Sequence, residues 1–167
     1  MLEFQQRFIE KLIKTWKITE CMTLLNTLFN SFKEQQVVSF ATVEGIQPRV
    51  RPMSLIYFDQ RFFMITGARG GKKANKLIQI RKNPRYEYYL TLKGEKVDGF
   101  IRGMGDALEV SDFHTRKKIY DEIAWASNYF DSVDNPDYVL LELKHDGFSY
   151  RKPDEVEIHY ITLDELR

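Results

Sequence analysis

From Val37 to Thr66 the chain reads as three consecutive strands separated only by tight turns, and no other feature narrows its possible folds so far. Val37-Val38-Ser39-Phe40-Ala41-Thr42-Val43 is strand sequence and Glu44-Gly45 marks a turn. Pro48 to Phe58 makes a second strand, Asp59-Gln60 a second turn, and Arg61 to Thr66 a third strand. Turns this short join antiparallel neighbours, because a parallel connection needs a crossover of roughly a dozen residues or more. Pro48 and Pro52 cannot donate to a ladder, so the second strand is expected at an exposed edge or bulge, where backbone groups stay free for a ligand.

The same pattern returns later. Tyr86 to Leu92 and Gly99 to Val110 predict two further strands around a turn at Lys93-Gly94-Glu95-Lys96. Tyr138 to Lys144 predicts another, followed by a turn signal at Asp146-Gly147 and alternating apolar residues in Phe148 to Tyr150 and Val156 to Thr162. Helical spacing is confined to a few stretches. Leu2, Phe4, Phe8, Ile9, Leu12 and Ile13 predict a first helix, and Leu24, Leu25, Leu28, Phe29 and Phe32 a second, capped by Thr19. Ala74 to Lys82 reads as a short helix ended by Asn83-Pro84. Another should start at Ser111 or Asp112 and run to about Phe130. Short antiparallel strands without alternating long helices predict a barrel over residues 36–167, with a helical extension over residues 1–35. A doubly wound parallel sheet is disfavoured. The glycines at Gly67, Gly70 and Gly71 match neither a dinucleotide fingerprint nor a phosphate-binding P-loop.

Composition matters to function mainly through charge. The formal net charge is only +1, yet Gly45 to Arg85 holds Arg49, Arg51, Arg61, Arg69, Lys72, Lys73, Lys76, Arg81, Lys82 and Arg85 against the single acid Asp59. From Tyr86 onward the balance reverses. Such a block either binds an anion or is a solvated positive face. Hydrophobic residues at 43% and aromatics at 14% exclude a disordered chain. With Cys21 as the only cysteine, no internal disulfide or cysteine-based metal cluster can form, and a cytoplasmic location is expected. Glu3, Arg7, Glu10, Lys11 and Lys14 interrupt any signal-peptide core, and no apolar run is long enough to span a bilayer.

Two parts of the basic block can converge: Arg51 on the hairpin, and Lys72 with Lys73 at a helix start. A helix N-terminus presents unpaired N–H groups, and arginine offers a fork that fits two phosphate oxygens, so these residues describe a phosphate clamp. His114, His145 and His159 lack metal-ligand spacing and have no evident nucleophile partner, so neither a metal site nor a hydrolytic triad is assigned. Asp134 and Asp137 flank Asn135-Pro136 and read as a turn, not a calcium loop.

Several of these stretches together resemble the pyridoxamine 5′-phosphate oxidase-like flavin-binding split barrels. They are Val37 to Val43, Gln47-Pro48-Arg49-Val50-Arg51-Pro52-Met53, Phe62 to Gly67, Lys72-Lys73, Asn83-Pro84-Arg85, and Gly105 to Asp112 leading into a charged helix. The resemblance covers about residues 36–145 and implies a six-stranded antiparallel split β-barrel. It implies that Arg51, Lys72 and Lys73 hold the phosphate of flavin mononucleotide (FMN), and that Pro52, Met53, Ser54, Ile65 and Thr66 line its ring and ribityl chain. It also implies a homodimer with the pocket at the interface, a small-molecule substrate and flavin-based redox chemistry without a dedicated side-chain nucleophile.

The chain departs from the vitamin-making oxidases at Gly99-Phe100-Ile101-Arg102, where they carry a glutamine. It also lacks their Trp-, Arg- and His-rich C-terminal motif, which argues against pyridoxamine phosphate oxidation itself. Tyr150 could stack near the ring where relatives use Trp, although a barrel-core tyrosine is the simpler reading. Other readings are a non-enzymatic flavin carrier or sensor, a barrel holding deazaflavin F420, or one holding haem with His145 or His159 as axial ligand. RNA binding through the basic block and Tyr86, Tyr88 and Tyr89 ranks behind these.

Overall fold

The computed structural model describes Thr19, residues 22–67 and residues 71–163. The first expected helix and the loop Ala68-Arg69-Gly70 lie outside these residues. The chain divides into two compact units, residues 1–32 and 33–167. In the first, residues 22–30 form helix α1, with Leu25, Leu28 and Phe32 buried. The hydroxyls of Thr23, Thr27 and Ser31 each donate to the carbonyl four residues earlier, all at 2.9 Å. Thr19 is itself helical, so it does not stand outside the helix as a cap.

The second unit contains β1 (Gln35–Glu44), β2 (Gln47–Phe58), β3 (Arg61–Thr66), α2 (Asn75–Lys82), β4 (Arg85–Leu92), β5 (Gly99–Glu109), α3 (Phe113–Glu122), β6 (Val139–Arg151) and β7 (His159–Thr162). Strand order is β3-β2-β1-β4-β5-β6-β7, and β3 also pairs with β6, which closes six antiparallel strands into a barrel with β7 outside the ring. Closure depends on the length of β6. Its first part, Val139 to Leu143, pairs with β3, while Gly147 to Tyr150 carries β7.

Two expectations change. Residues 139–151 form one strand instead of two, and the Asp146-Gly147 signal is absorbed as a bulge: Met104 faces Gly147 and Gly105 faces His145, leaving Asp146 as the extra residue. The helix expected to reach Phe130 ends at Glu122 and is followed by a turn and a short 3-10 segment, Ala126–Asn128. Its apolar spacing nevertheless survives. Ile119, Ile123, Ala126 and Phe130 all enter one buried cluster with Ile56, Phe63, Ile65, Tyr138 and Leu140. Burial at those positions satisfied the periodicity without a continuous helix, and the break lets Trp125 Nε1 donate to Gln35 Oε1 at 2.7 Å. This lid of α3 and its trailing turn lies over the outer faces of β2, β3 and β6. Each of its large side chains contributes roughly 1.5–3 kcal/mol of burial.

The barrel interior is aromatic. Phe40 stacks on Tyr86 at 5.5 Å and Tyr86 on Tyr88 at 6.1 Å.

Candidate functional site

The barrel opens where β2 and β3 part. They share only the pairs Ile56↔Phe63, Tyr57↔Phe62 and Phe58↔Arg61, after which β3 pairs with β6 through Thr66↔Val139. Pro52 to Leu55 therefore have β1 on one side and, among the described residues, no strand on the other. A cleft of about 440 Å³ occupies this split. Pro52, Met53 and Ser54 form one wall, and Ile65, Thr66 and Gly67 the facing one. Lys76 stands at the α2 end, with Trp125, Asn128 and Tyr129 contributed by the segment after α3.

Gly67 and Gly71 fix how the chain leaves the cleft. Their φ angles are +107° and +53°, and a Cβ on Gly67 would strike the Asp137 carbonyl oxygen, while one on Gly71 would strike the Asp137 carboxylate. Only glycine fits at these two positions against Asp137. Helix α2 begins at Ala74 with no side-chain cap and no acid in its first turn. The Ala74 and Leu77 N–H groups there already donate to the Gly71 and Ala74 carbonyls, at 3.1 and 2.9 Å, and the positive end of the helix dipole remains to attract an anion.

Two polar features stand at or beside the cleft. Thr66 is 3% exposed, and its buried Oγ1 has no hydrogen-bond partner. Arg51, just before the cleft wall, donates from Nη1 to Thr42 Oγ1 at 2.7 Å and from Nη2 to Gln79 Oε1 at 2.9 Å. Among the described residues it has no carboxylate partner, and burial, aided by the neighbouring Arg49 charge, lowers its pKa.

The structure thus gathers Pro52, Met53, Ser54, Ile65 and Thr66 around one cleft. Arg51 is held beside it through Gln79, whereas the two lysines go elsewhere. Lys72 lines a separate pocket of about 270 Å³ with Glu109, Ser111, Arg116 and Asp134, and its carbonyl accepts from Arg81. Lys73 is exposed on the 3-10 turn Gly71–Lys73. Lys76, one helical turn further on, is the cation at the cleft. It was visible in the basic block, but its direction depends on where α2 starts. Trp125, Asn128 and Tyr129 carried no signal, because a continuous helix was expected there.

Tyr150 is 2% exposed on β6, in the barrel wall. His145 is enclosed by Phe62, Tyr86, Tyr88 and Phe148, with ring centroids 4.5–5.8 Å away, and its Nε2 lies 3.0 Å from the Tyr88 hydroxyl. His159 is partly exposed on β7. No group of metal-ligating side chains occurs among the described residues, and no described helix is long and apolar enough to cross a membrane.

No family model matches the chain, and no curated protein matches it by sequence. Solved structures do. A NimC/NimA family protein of Clostridium acetobutylicum is 20% identical, with 85% of this chain and 93% of the other covered, at a TM-score of 0.65. A second protein of that organism, related to general stress protein 26 and placed in the pyridoxine phosphate oxidase family, is 17% identical over 89% and 98% of the two chains, at 0.64. A haem-binding protein of Mycobacterium smegmatis is 12% identical over 78% of this chain and 54% of the other, at 0.63. The fold defined above is therefore the split barrel of the pyridoxamine 5′-phosphate oxidase-like proteins.

Proposed function

We propose that the cleft holds FMN and that the protein is a flavin-dependent oxidoreductase acting on a small molecule. The carrying observation is the unpaired edge of β2 facing the partnerless Thr66 hydroxyl, with Lys76 and an uncapped helix start at one end. A strand edge offers donors and acceptors at fixed spacing, as the rim of an isoalloxazine ring requires. The cationic end suits a phosphomonoester.

In this reading Lys76 and the positive end of the α2 dipole hold the phosphate, Arg51 supports it, and Thr66 bonds the polar chain. Pro52 to Ser54 and Ile65 seat the ring, while Trp125 and Tyr129 exclude water. Once bound, the flavin supplies the electron transfer, and the protein binds, orients and shields. Lys72 and Lys73 lie one turn before Lys76 and add to the positive field at the cleft mouth. The reaction is placed in the cytoplasm, in keeping with the lone Cys21.

The site is proposed to form at a homodimer interface. Val37 is 69% exposed, Val50 65% and Tyr89 40%, and the register puts them on one outward face with Pro52 and Ser54. A second copy seated there would wall the cleft. Haem ligated by His145 is disfavoured because that ring is enclosed inside the barrel, which leaves His159 on β7 as the ligand such a reading would need. F420 and a non-enzymatic carrier would use the same cleft.

The test is the visible spectrum of the purified protein, followed by titration of the apo form with FMN by fluorescence quenching. Flavin bands or micromolar binding, weakened about tenfold or more in Lys76→Ala, are expected, since a charge-assisted bond contributes about 1.5–3 kcal/mol. Absence of FMN binding would reject the reading and pass the weight to F420.

A further inference from the structure

Thr42 and Gln79 are polar residues buried to 1% and 5% exposure, one on β1 and one on α2, and together they make a closed set of bonds with Arg51. Thr42 Oγ1 donates to Gln79 Oε1 at 2.6 Å, and the Arg51 guanidinium donates to both oxygens at 2.7 and 2.9 Å. Because arginine can only donate, the Gln79 amide must present its oxygen. Two side chains out of solvent are therefore committed to one cation.

A neutral acceptor pair orients a guanidinium without cancelling its charge. Arg81 and Arg85, by contrast, pair with Glu109 and with Asp106 and Asp146. Arg51 uses two of its N–H groups on this pair, and the remaining ones have no acceptor among the described residues. None of Thr42, Gln79 and Arg51 lines the cleft itself, but a neighbour of each of Arg51 and Gln79 does. Met53, two residues along the same face of β2, lines the cleft, and so does Lys76, one helical turn before Gln79 on α2.

From this geometry we infer that Thr42 and Gln79 are positioning residues which keep Arg51 fully charged and aimed at the cationic end of the cleft, and that the trio makes the protein selective for a phosphorylated flavin over its dephosphorylated form. The inference rests on the flavin reading above and deepens it. The type of residue at position 79 is the specificity device: a carboxylate there would hold Arg51 just as firmly but neutralise it.

The experiment compares FMN with riboflavin, which lacks only the phosphate, in wild type and in Gln79→Glu, Thr42→Val and Thr42→Ser, with thermal melts to establish folding. Wild type should bind FMN at least tenfold tighter than riboflavin. Gln79→Glu and Thr42→Val should each lose about 10- to 100-fold in FMN affinity with riboflavin affinity unchanged, and Thr42→Ser, which restores the hydroxyl, should recover FMN. If FMN and riboflavin weaken together, the trio is merely structural and the inference fails. It fails also if FMN affinity is unmoved in folded variants. Wild type binding both flavins equally would refute phosphate selectivity while leaving a flavin site, whereas binding neither would overturn the flavin reading and this inference together. Should Gln79→Glu not fold, the contrast between Thr42→Val and Thr42→Ser is decisive by itself.

Discussion

At the scale of single residues, His145 shows how a strand bulge can bury a titratable group. Beside the bulge residue Asp146 its ring turns inward among four aromatic rings, and burial lowers its pKa from 6.5 to about 3, despite a backbone hydrogen bond at Leu143 and the Asp146 charge, which pull the other way. The imidazole is neutral in the folded protein throughout the physiological range. Below pH 6.5 the unfolded chain takes up a proton that the folded chain refuses, so this residue's contribution is intact above that value. It is lost as pH falls toward 3, with a slope of up to about 1.4 kcal/mol per pH unit. Urea midpoints from pH 7.5 down to 4.5 should therefore fall steeply in wild type and less steeply in His145→Phe. The variant should be less stable at neutral pH by about 1–3 kcal/mol, because the Tyr88 hydroxyl loses its partner.

Among the elements, the β2–β3 hairpin carries a conformational cost at its tip. Asp59 and Gln60 have φ angles of +53° and +58°, the left-handed pair that a two-residue hairpin turn requires, and neither is glycine. A side chain in that region costs about 1–2 kcal/mol, part of which glycine's greater freedom in the unfolded chain gives back. Gln60→Gly is expected to raise stability by about 0.5–1 kcal/mol, read as a higher urea midpoint at unchanged slope. A lower midpoint would mean that the Gln60 side chain has contacts worth more than the strain. This hairpin matters to the site because its ladder is only three residue pairs long before β3 departs and the cleft begins.

On the scale of the whole molecule, the outward face of β1, β2 and β4 bears Val37, Val50 and Tyr89 beside the cleft residues Pro52 and Ser54. If a second copy covers this face, Val50→Glu should convert the dimer to a monomer in light scattering and weaken FMN binding. Folding stability of the exposed position should stay within about 0.5 kcal/mol. A wild-type monomer, or a variant that dimerises as before, would remove this face from the interface.

Local rules made much of this legible from sequence. Period-two alternation, tight turns and prolines located β1, β2 and β3, and Pro48 and Pro52 marked the second strand as an edge or bulge with backbone to spare, because strand spacing and missing donors are properties of neighbouring residues. Resemblance supplied the barrel's closure and the facing residues Ile65 and Thr66. Other features depended on contacts far apart in the chain. That β3 leaves β2 for β6 is decided by Val139 to Leu143, more than seventy residues away. The helix expected from Ser111 or Asp112 to about Phe130 stops at Glu122, since a helix and a turn can bury the same spacing of Ile119, Ile123, Ala126 and Phe130. Likewise the sequence put the phosphate cations at Lys72 and Lys73, whereas Lys76 lines the cleft, because each residue turns a helix by about 100° and the direction is set where Gly67 and Gly71 clasp Asp137. Sequence by itself determined the strands and the chemical character of the site; the tertiary structure decided which side chains meet, because pairing and packing across the barrel are long-range.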